Sequence, residues 1–492
     1  MTFEKFIQLS QGYKLVPVYE RVAADLLTPV TAYLKIREKD KISFLLESVE
    51  GIGRLARYSF IGLNPSEIIS NDYKTISVKS SGGTKTFEGS IFDYLKNRIA
   101  EFAHPTIDDL PYFTGGIVGF VGFDNISLIE DVIRYDESKQ GISPDSVFGL
   151  YNTIIVFDHF KHQIILITNV DCSDKSNLDV KFNKAKVILT ELKQLLNKDL
   201  HHKSDFKAST NPLSKEEETE FLKLVESSKQ NIYAGDVFQI VLSKRFEADY
   251  SGDSFNVYRA LRMINPSPYM YYMEFENDFK VIGTSPEDLL KVKNRKAEIL
   301  PIAGTRRRGK SEEEDLQLEK ELMSDPKEIA EHVMLVDLAR NDLGRICKLG
   351  TVQISEQMKI NRFSHVMHIV SRVEGILNDD ADCIDTLEAS FPAGTVSGAP
   401  KIRAIQLINE YEKTKRGVYA GAVGYIDFSG NLDMCIAIRT LFVTKDKIYW
   451  QAGAGIVADS KPELELKEIK NKSAVLVSAL VCAEVIDENL GN

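Results

Sequence analysis

Apolar residues in the first two hundred positions come in strand-length runs rather than at helical spacing. KISFLLESVE (41–50), ARYSFIGL (56–63) and GGIVGFVGF (115–123) are such runs, and TIIVFDHFKHQIILIT (153–168) carries two of them around a polar tip, predicting a hairpin. A helix-like run ends at Leu196, and the polar stretch 198–213 follows as a seam. Ser214-Lys215-Glu216-Glu217 is a capping box, so a new unit opens there with a helix over 217–234. Phe221, Val225, Ser228 and Ile232 share its stripe, Gly235 stops it, and the strand VFQIVLSKRF (237–246) follows. Near the end, 417–428, 432–443 and 448–457 predict a three-stranded meander with turns at 429–431 and 445–447. Neighbouring hairpins with helices packed on them imply an α+β class and a largely antiparallel sheet. The expected organisation is an N-terminal half over 1–197, a linker over 198–213 and a C-terminal region over 214–482.

Two helices carry acidic pairs. Asp325-Pro326-Lys327-Glu328 supplies an N-cap, a Pro at the first helical position and a Glu at N3. The helix continues IAEHVMLVDLARNDLGR (329–345), with apolar residues around most of its circumference, which predicts a buried helix. Ser460-Lys461-Pro462-Glu463 predicts a capping box opening a second helix. Glu328/Glu331 and Glu465/Glu468 are spaced i,i+3, so each pair shares one helical face. Buried carboxylates are strongly unfavourable unless paired, protonated or bound to a cation. Four converging from two helices suit Mg²⁺, which prefers oxygen ligands. Spacing alone leaves two alternatives: a solvated face, since Glu47/Glu50 shows the same spacing without a buried helix around it, or an ion pair with Arg340 or Arg345.

Composition narrows the class. Lys and Arg total 61 against 72 Asp and Glu, a net charge of −11 with no basic stripe, which argues against nucleic-acid binding as the main task. The longest apolar stretch, AVLVSALVCA (474–483), is too short to span a bilayer, and MTFEKFIQLSQGYK has no signal-peptide pattern. Five scattered Cys without a C-x-x-C fit a reducing cytoplasm rather than a disulfide framework or zinc ribbon.

Other candidates are weaker singly. FPAGTVSGAPK (391–401) runs into helix 402–412, whose first N–H groups could hold an anion, although the spacing is not that of a nucleotide P-loop. Gly453-Ala454-Gly455 predicts a turn that a ligand could approach closely. A plain tight turn is the ordinary explanation of either loop. Arg439 falls mid-strand on the pleat of Cys435 and Ala437, where it is either structurally paired or holds a carboxylate. His159 and His162 belong to an exposed hairpin tip. His365 and His368 point to opposite faces of a strand, so a shared zinc is not expected. His368 is a core histidine or an acid/base group.

PIAGTRRRG (301–309), DPKEIAEHVMLVDLARNDLGR (325–345), MHIVSRVEG (367–375), FPAGTVSGAPKIRA (391–404), GVYAGAVGY (417–425) and QAGAGIVADSKPELELKEIKNK (451–472) together resemble the chorismate-utilising enzymes. Within them the chain is most similar to the anthranilate synthase component I family. The likeness spans 214–480 in order, and is looser in the N-terminal half, through LLES (45–48) and RYSFIG (57–62).

The resemblance implies a two-sheet β-sandwich with flanking helices, both halves contributing strands. It implies a cytoplasmic lyase that converts chorismate and ammonia to anthranilate and pyruvate, the first step of tryptophan biosynthesis. Mg²⁺ is then held by Glu331 and Glu468, with Glu328 and Glu465 completing the acidic set. The implied catalytic residues are Glu287, as acid to the departing C4 hydroxyl; His368, for pyruvate elimination; and Thr395. Gly304, Thr305, Tyr419, Arg439, Gly453, Ala454 and Gly455 match the substrate contacts. Gln239 stands where isochorismate and salicylate synthases carry a lysine base, and Ala303 where aminodeoxychorismate synthases carry a lysine nucleophile; both point to anthranilate. Glu47, Ser48, Pro268, Tyr269 and Met270 match a tryptophan feedback pocket shared between the halves. The chain has no glutaminase segment with a Gly-flanked nucleophilic Cys, so the resemblance implies a glutamine amidotransferase small subunit in a hetero-oligomer. The rivals are an aminodeoxychorismate enzyme and a non-catalytic metabolite sensor.

Overall fold

The computed structural model describes residues 1–38, 41–48, 57–200, 204–362 and 366–487; Glu50 and His365 lie outside them. Among the described residues the strands form two antiparallel sheets of twelve strands each. The two parts of the chain interleave in both. In one sheet Ser43–Glu47 pairs with Tyr269–Glu274, setting Glu47 opposite Met270. In the other, Gly116–Val121 pairs with Ala422–Asp427. The architecture is the expected α+β sandwich. Its faces meet through aromatic rings: Phe44 lies 4.6 Å from Tyr151 and Phe60 lies 6.0 Å from Tyr425, both edge-on. No helix among the described residues is long and apolar enough to cross a membrane.

The hairpin Thr153–Asp158 with Gln163–Asp171 and the helix Lys215–Tyr233 form as the patterns predict; both arms of the Ser214/Glu217 capping box are made. The polar seam is more ordered than its composition implies. Its segment Phe206–Asn211 is an edge strand on Gln239–Gly252, with Phe206 buried beneath it.

Three expectations are corrected. LDMCIAIRTLFV is not one strand of a meander: Leu432–Ile436 belongs to one sheet and Thr440–Val443 to the other. The chain crosses between them at 437–439, with Arg439 in the left-handed region at φ 50°. The helix Pro326–Gly344 is amphipathic rather than buried all round. His332, Leu335, Val336, Ala339 and Leu343 face inward, while Val333 is 42% exposed. Ser460 does not cap its helix. Pro462 takes the first helical position, Lys461 becomes the N-cap, and Ser460 Oγ accepts the Val457 N–H at 3.1 Å instead.

Candidate active site

A second crossover lies beside the first. Lys280–Ser285 and Asp288–Lys293 belong to different sheets, and the chain passes between them at Pro286-Glu287. The two crossing segments are hydrogen-bonded to each other: the Ile436 N–H donates to the Glu287 carbonyl at 3.1 Å, and the Thr284 N–H to the Arg439 carbonyl at 3.2 Å. Glu287 and Arg439 are thereby placed where both sheets end, on the wall of a cleft of about 620 Å³.

Burial raises the Glu287 carboxyl above its ordinary range, against the opposing pull of a Thr395 hydroxyl that donates to Oε2 at 3.0 Å. Burial lowers the Arg439 pKa, with Glu287 and Tyr419 pulling the other way. Among the described residues the Arg439 side chain makes no hydrogen bond and no ion pair, and it faces the cleft. A guanidinium so placed is a ready carboxylate binder.

His368 is set in the strand Val366–Ile376, and its Nδ1 lies 2.9 Å from the Gly304 carbonyl and 3.1 Å from Thr305 Oγ1. A carbonyl only accepts, so Nδ1 carries the proton and the lone pair is on Nε2. Burial lowers the His368 pKa, which keeps the ring neutral at neutral pH. Gly304 must be glycine: its φ is +67°, and an added Cβ would meet Leu322 at 2.9 Å and Glu328 at 3.1 Å.

The sequence 453–455 is not a turn but part of the strand Lys447–Ile456, paired with Gln239–Gly252. Gly453 and Gly455 share the pleat that faces the cleft, where the Tyr419 hydroxyl and the Gln239 amide lie 2.6 Å from where each Cβ would stand. Ala454 is on the opposite pleat, fully buried, and does not line the cleft. Nor does the start of helix Lys401–Tyr411, whose Lys401 pairs with Asp342 at 3.0 Å.

Glu331, Glu465 and Glu468 line the cleft, whereas Glu328 is held by Arg306 at 3.1 Å. Arg340 and Arg345 pair elsewhere, with Asp337 and Glu130. Burial raises the Glu331 pKa, followed by repulsion from Glu328 and Glu468; Glu465 is raised by burial and by Glu468. Among the described residues no three acidic, His or Cys side chains form a ready-made cation cage. The donor chemistry fits a hard dication all the same, since an all-carboxylate set under mutual repulsion is what such an ion relieves. Lys472 was not anticipated: it pairs with Glu468 at 2.7 Å and donates to the Gly453 carbonyl at 2.8 Å. Its signal was the i,i+4 spacing from Glu468.

A separate cavity of about 370 Å³ is lined by Glu47, Ser48, Pro268, Tyr269 and Met270 together. Glu47 is buried there, accepting from the Tyr258 hydroxyl at 2.5 Å and from Arg262 Nε at 3.1 Å. Pro268, Pro286 and Ile302 line both this cavity and the cleft.

The family model described as chorismate binding enzyme matches residues 55–478. An anthranilate synthase component 1 from Acetivibrio thermocellus is 44% identical over 489 residues, covering 97% of this chain and 98% of that protein. The crystal structure of anthranilate synthase component I from Streptococcus pneumoniae TIGR4 superposes with a TM-score of 0.75 at 38% identity, over 93% of this chain and 99% of that one. A menaquinone-specific isochorismate synthase from Escherichia coli shares the fold, with a TM-score of 0.72 at 19% identity over 97% of this chain and 98% of that one.

Proposed function

The chain belongs to the chorismate-binding enzymes and, within them, to the anthranilate synthase component 1 family, and from that premise we propose that its cleft aminates chorismate and eliminates pyruvate to give anthranilate. The observation that carries the reading is the pair at the sheet crossovers: a buried guanidinium that, among the described residues, makes no side-chain hydrogen bond or ion pair, beside a carboxyl whose pKa burial raises. Arg439 binds a substrate carboxylate. Glu287, steadied by Thr395, gives its proton to the departing C4 hydroxyl. His368 takes the C2 proton through Nε2 as the ring becomes aromatic, while the ring C3–O bond breaks and the departing enolpyruvate takes a proton at its methylene carbon to become pyruvate. Glu331 and Glu468 would hold Mg²⁺, with Glu465 completing the acid set and Glu328 left to its pairing with Arg306; when bound, the ion supplies Lewis-acid polarisation of a substrate carboxylate.

Arg439→Leu tests the reading. Loss of a charge-assisted contact in a buried site should lower kcat/KM for chorismate by about 100-fold or more, with partial recovery in Arg439→Lys. Unchanged kcat/KM in Arg439→Leu would remove Arg439 from substrate binding.

Ammonia is supplied, in this reading, by a glutamine amidotransferase partner, in keeping with the "component 1" naming of the relatives. The 370 Å³ cavity is proposed to take tryptophan as feedback inhibitor, since it lies across the joint between the chain's two parts and shares wall residues with the cleft. A ligand shifts such an equilibrium only through differential affinity, so chorismate and tryptophan must weaken each other's binding by the same factor. Ser48→Phe, which fills the cavity, should relieve inhibition and spare most uninhibited activity. A Ser48→Phe enzyme inhibited like wild type, or wild-type turnover indifferent to added tryptophan, would refute the assignment.

A further inference from the structure

Behind the Glu287–Thr395 pair lies a small cavity of about 50 Å³, separate from the main cleft but sharing Glu287, Thr395, Ile302 and Leu335 with it. Its volume exceeds the ~10–15 Å³ that one water requires. Most of its wall is aliphatic, and an empty aliphatic cavity stays dry; this one also has polar lining. Ser390, the last residue of helix Cys383–Ser390, is 2% exposed, and among the described residues its hydroxyl has no hydrogen-bond partner. Asp342 lines the same cavity, neutralised by Lys401 at 3.0 Å. A buried hydroxyl left unsatisfied costs stability, and a bound water is the usual remedy.

We propose that this cavity is a water site serving the reaction: it receives the C4 oxygen of the substrate after Glu287 has protonated it, with Ser390 as a positioning residue. The inference rests on the reading of Glu287 as the acid. In the amination step the C2–N bond forms, the two ring double bonds each move one place, and the C4–O bond breaks. The Glu287 proton joins the departing hydroxyl to make water. The ammonium so formed loses a proton to solvent, and Glu287 regains one. The new water appears against Glu287 while substrate fills the main cleft. Left there, it can add back at C4 and reverse the step. The cavity beyond the same two residues offers it room and, at Ser390, an unsatisfied hydroxyl.

The test separates the two half-reactions. Ser390→Ala removes the hydroxyl and keeps the space; Ser390→Val also fills it. Chorismate consumption with saturating ammonium is expected to fall about 10-fold in kcat for Ser390→Ala, and further for Ser390→Val, with KM for chorismate unchanged. Pyruvate release from the supplied aminated intermediate, which forms no water, is expected to match wild type in both variants. Wild-type amination rates in both variants would overturn the inference while leaving the proposed function intact, and so would an equal fall in both half-reactions, which marks a merely structural role. Wild-type protein that fails to aminate chorismate would sink the proposed function and the inference together.

Discussion

Glu331→Ala or Glu468→Ala is expected to abolish Mg²⁺-dependent turnover in a protein that remains folded. Outer partners of metal ligands cost about 10- to 100-fold when removed, so the loss from deleting a ligand should exceed about 100-fold. Stability should move the other way. Burial and the neighbouring Glu328 and Glu468 raise the Glu331 pKa in the folded chain. A carboxyl raised by folding favours the fold below its unfolded pKa, and that contribution is lost as pH rises through the folded value. Above the folded value the ionised Glu331 therefore opposes folding, and there Glu331→Ala should unfold at a higher temperature than wild type without metal. Calorimetric Mg²⁺ titration and thermal unfolding with and without the ion read both halves. Full activity in either variant, or wild-type turnover undiminished by EDTA, would contradict the ligand assignment.

His368→Met is expected to convert one product into another. The Gly304 carbonyl fixes the proton on Nδ1, and burial keeps the ring neutral, so the imidazole serves as a base rather than as a cation. Methionine fills similar space and takes no proton. Chorismate should still be consumed with ammonium, while the aminated, non-aromatic intermediate accumulates and anthranilate formation falls by about 100-fold or more, the scale of losing a general base. Mass spectrometry of the quenched reaction separates the two compounds. Loss of chorismate consumption in a folded His368→Met protein would place the histidine in the first step.

Where local chemistry decides structure, the sequence was legible. The Ser214/Glu217 capping box, the Asp325 cap with Pro326, and the hairpin at 153–168 form as their residues dictate. The i,i+3 spacing brought Glu331, Glu465 and Glu468 to one cleft. What escaped was set by tertiary pairing. The apolar run of LDMCIAIRTLFV continues through the crossover, because 432–436 and 440–443 are each part of a sandwich sheet and are both mostly buried. Nothing local marks Arg439 as the point where the chain changes sheets, or Glu287 as its counterpart. Gly453 and Gly455 resemble turn residues by composition. Here they are strand residues kept small by Tyr419 and Gln239, which arrive from elsewhere in the chain. Glu328 is diverted by Arg306 of the strand Ile302–Arg307, a tertiary contact that spacing along one helix cannot register. The roles of His368, Tyr419 and the two crossover residues came from family resemblance, not from pattern.

The most direct measurement of the central claim is a single incubation of purified protein with chorismate, ammonium and Mg²⁺, followed by identification of the products. The account predicts anthranilate, seen by fluorescence and mass, with one pyruvate released for each chorismate consumed. Accumulation of an aminodeoxychorismate without pyruvate, or chorismate recovered unchanged at saturating ammonium, would contradict it.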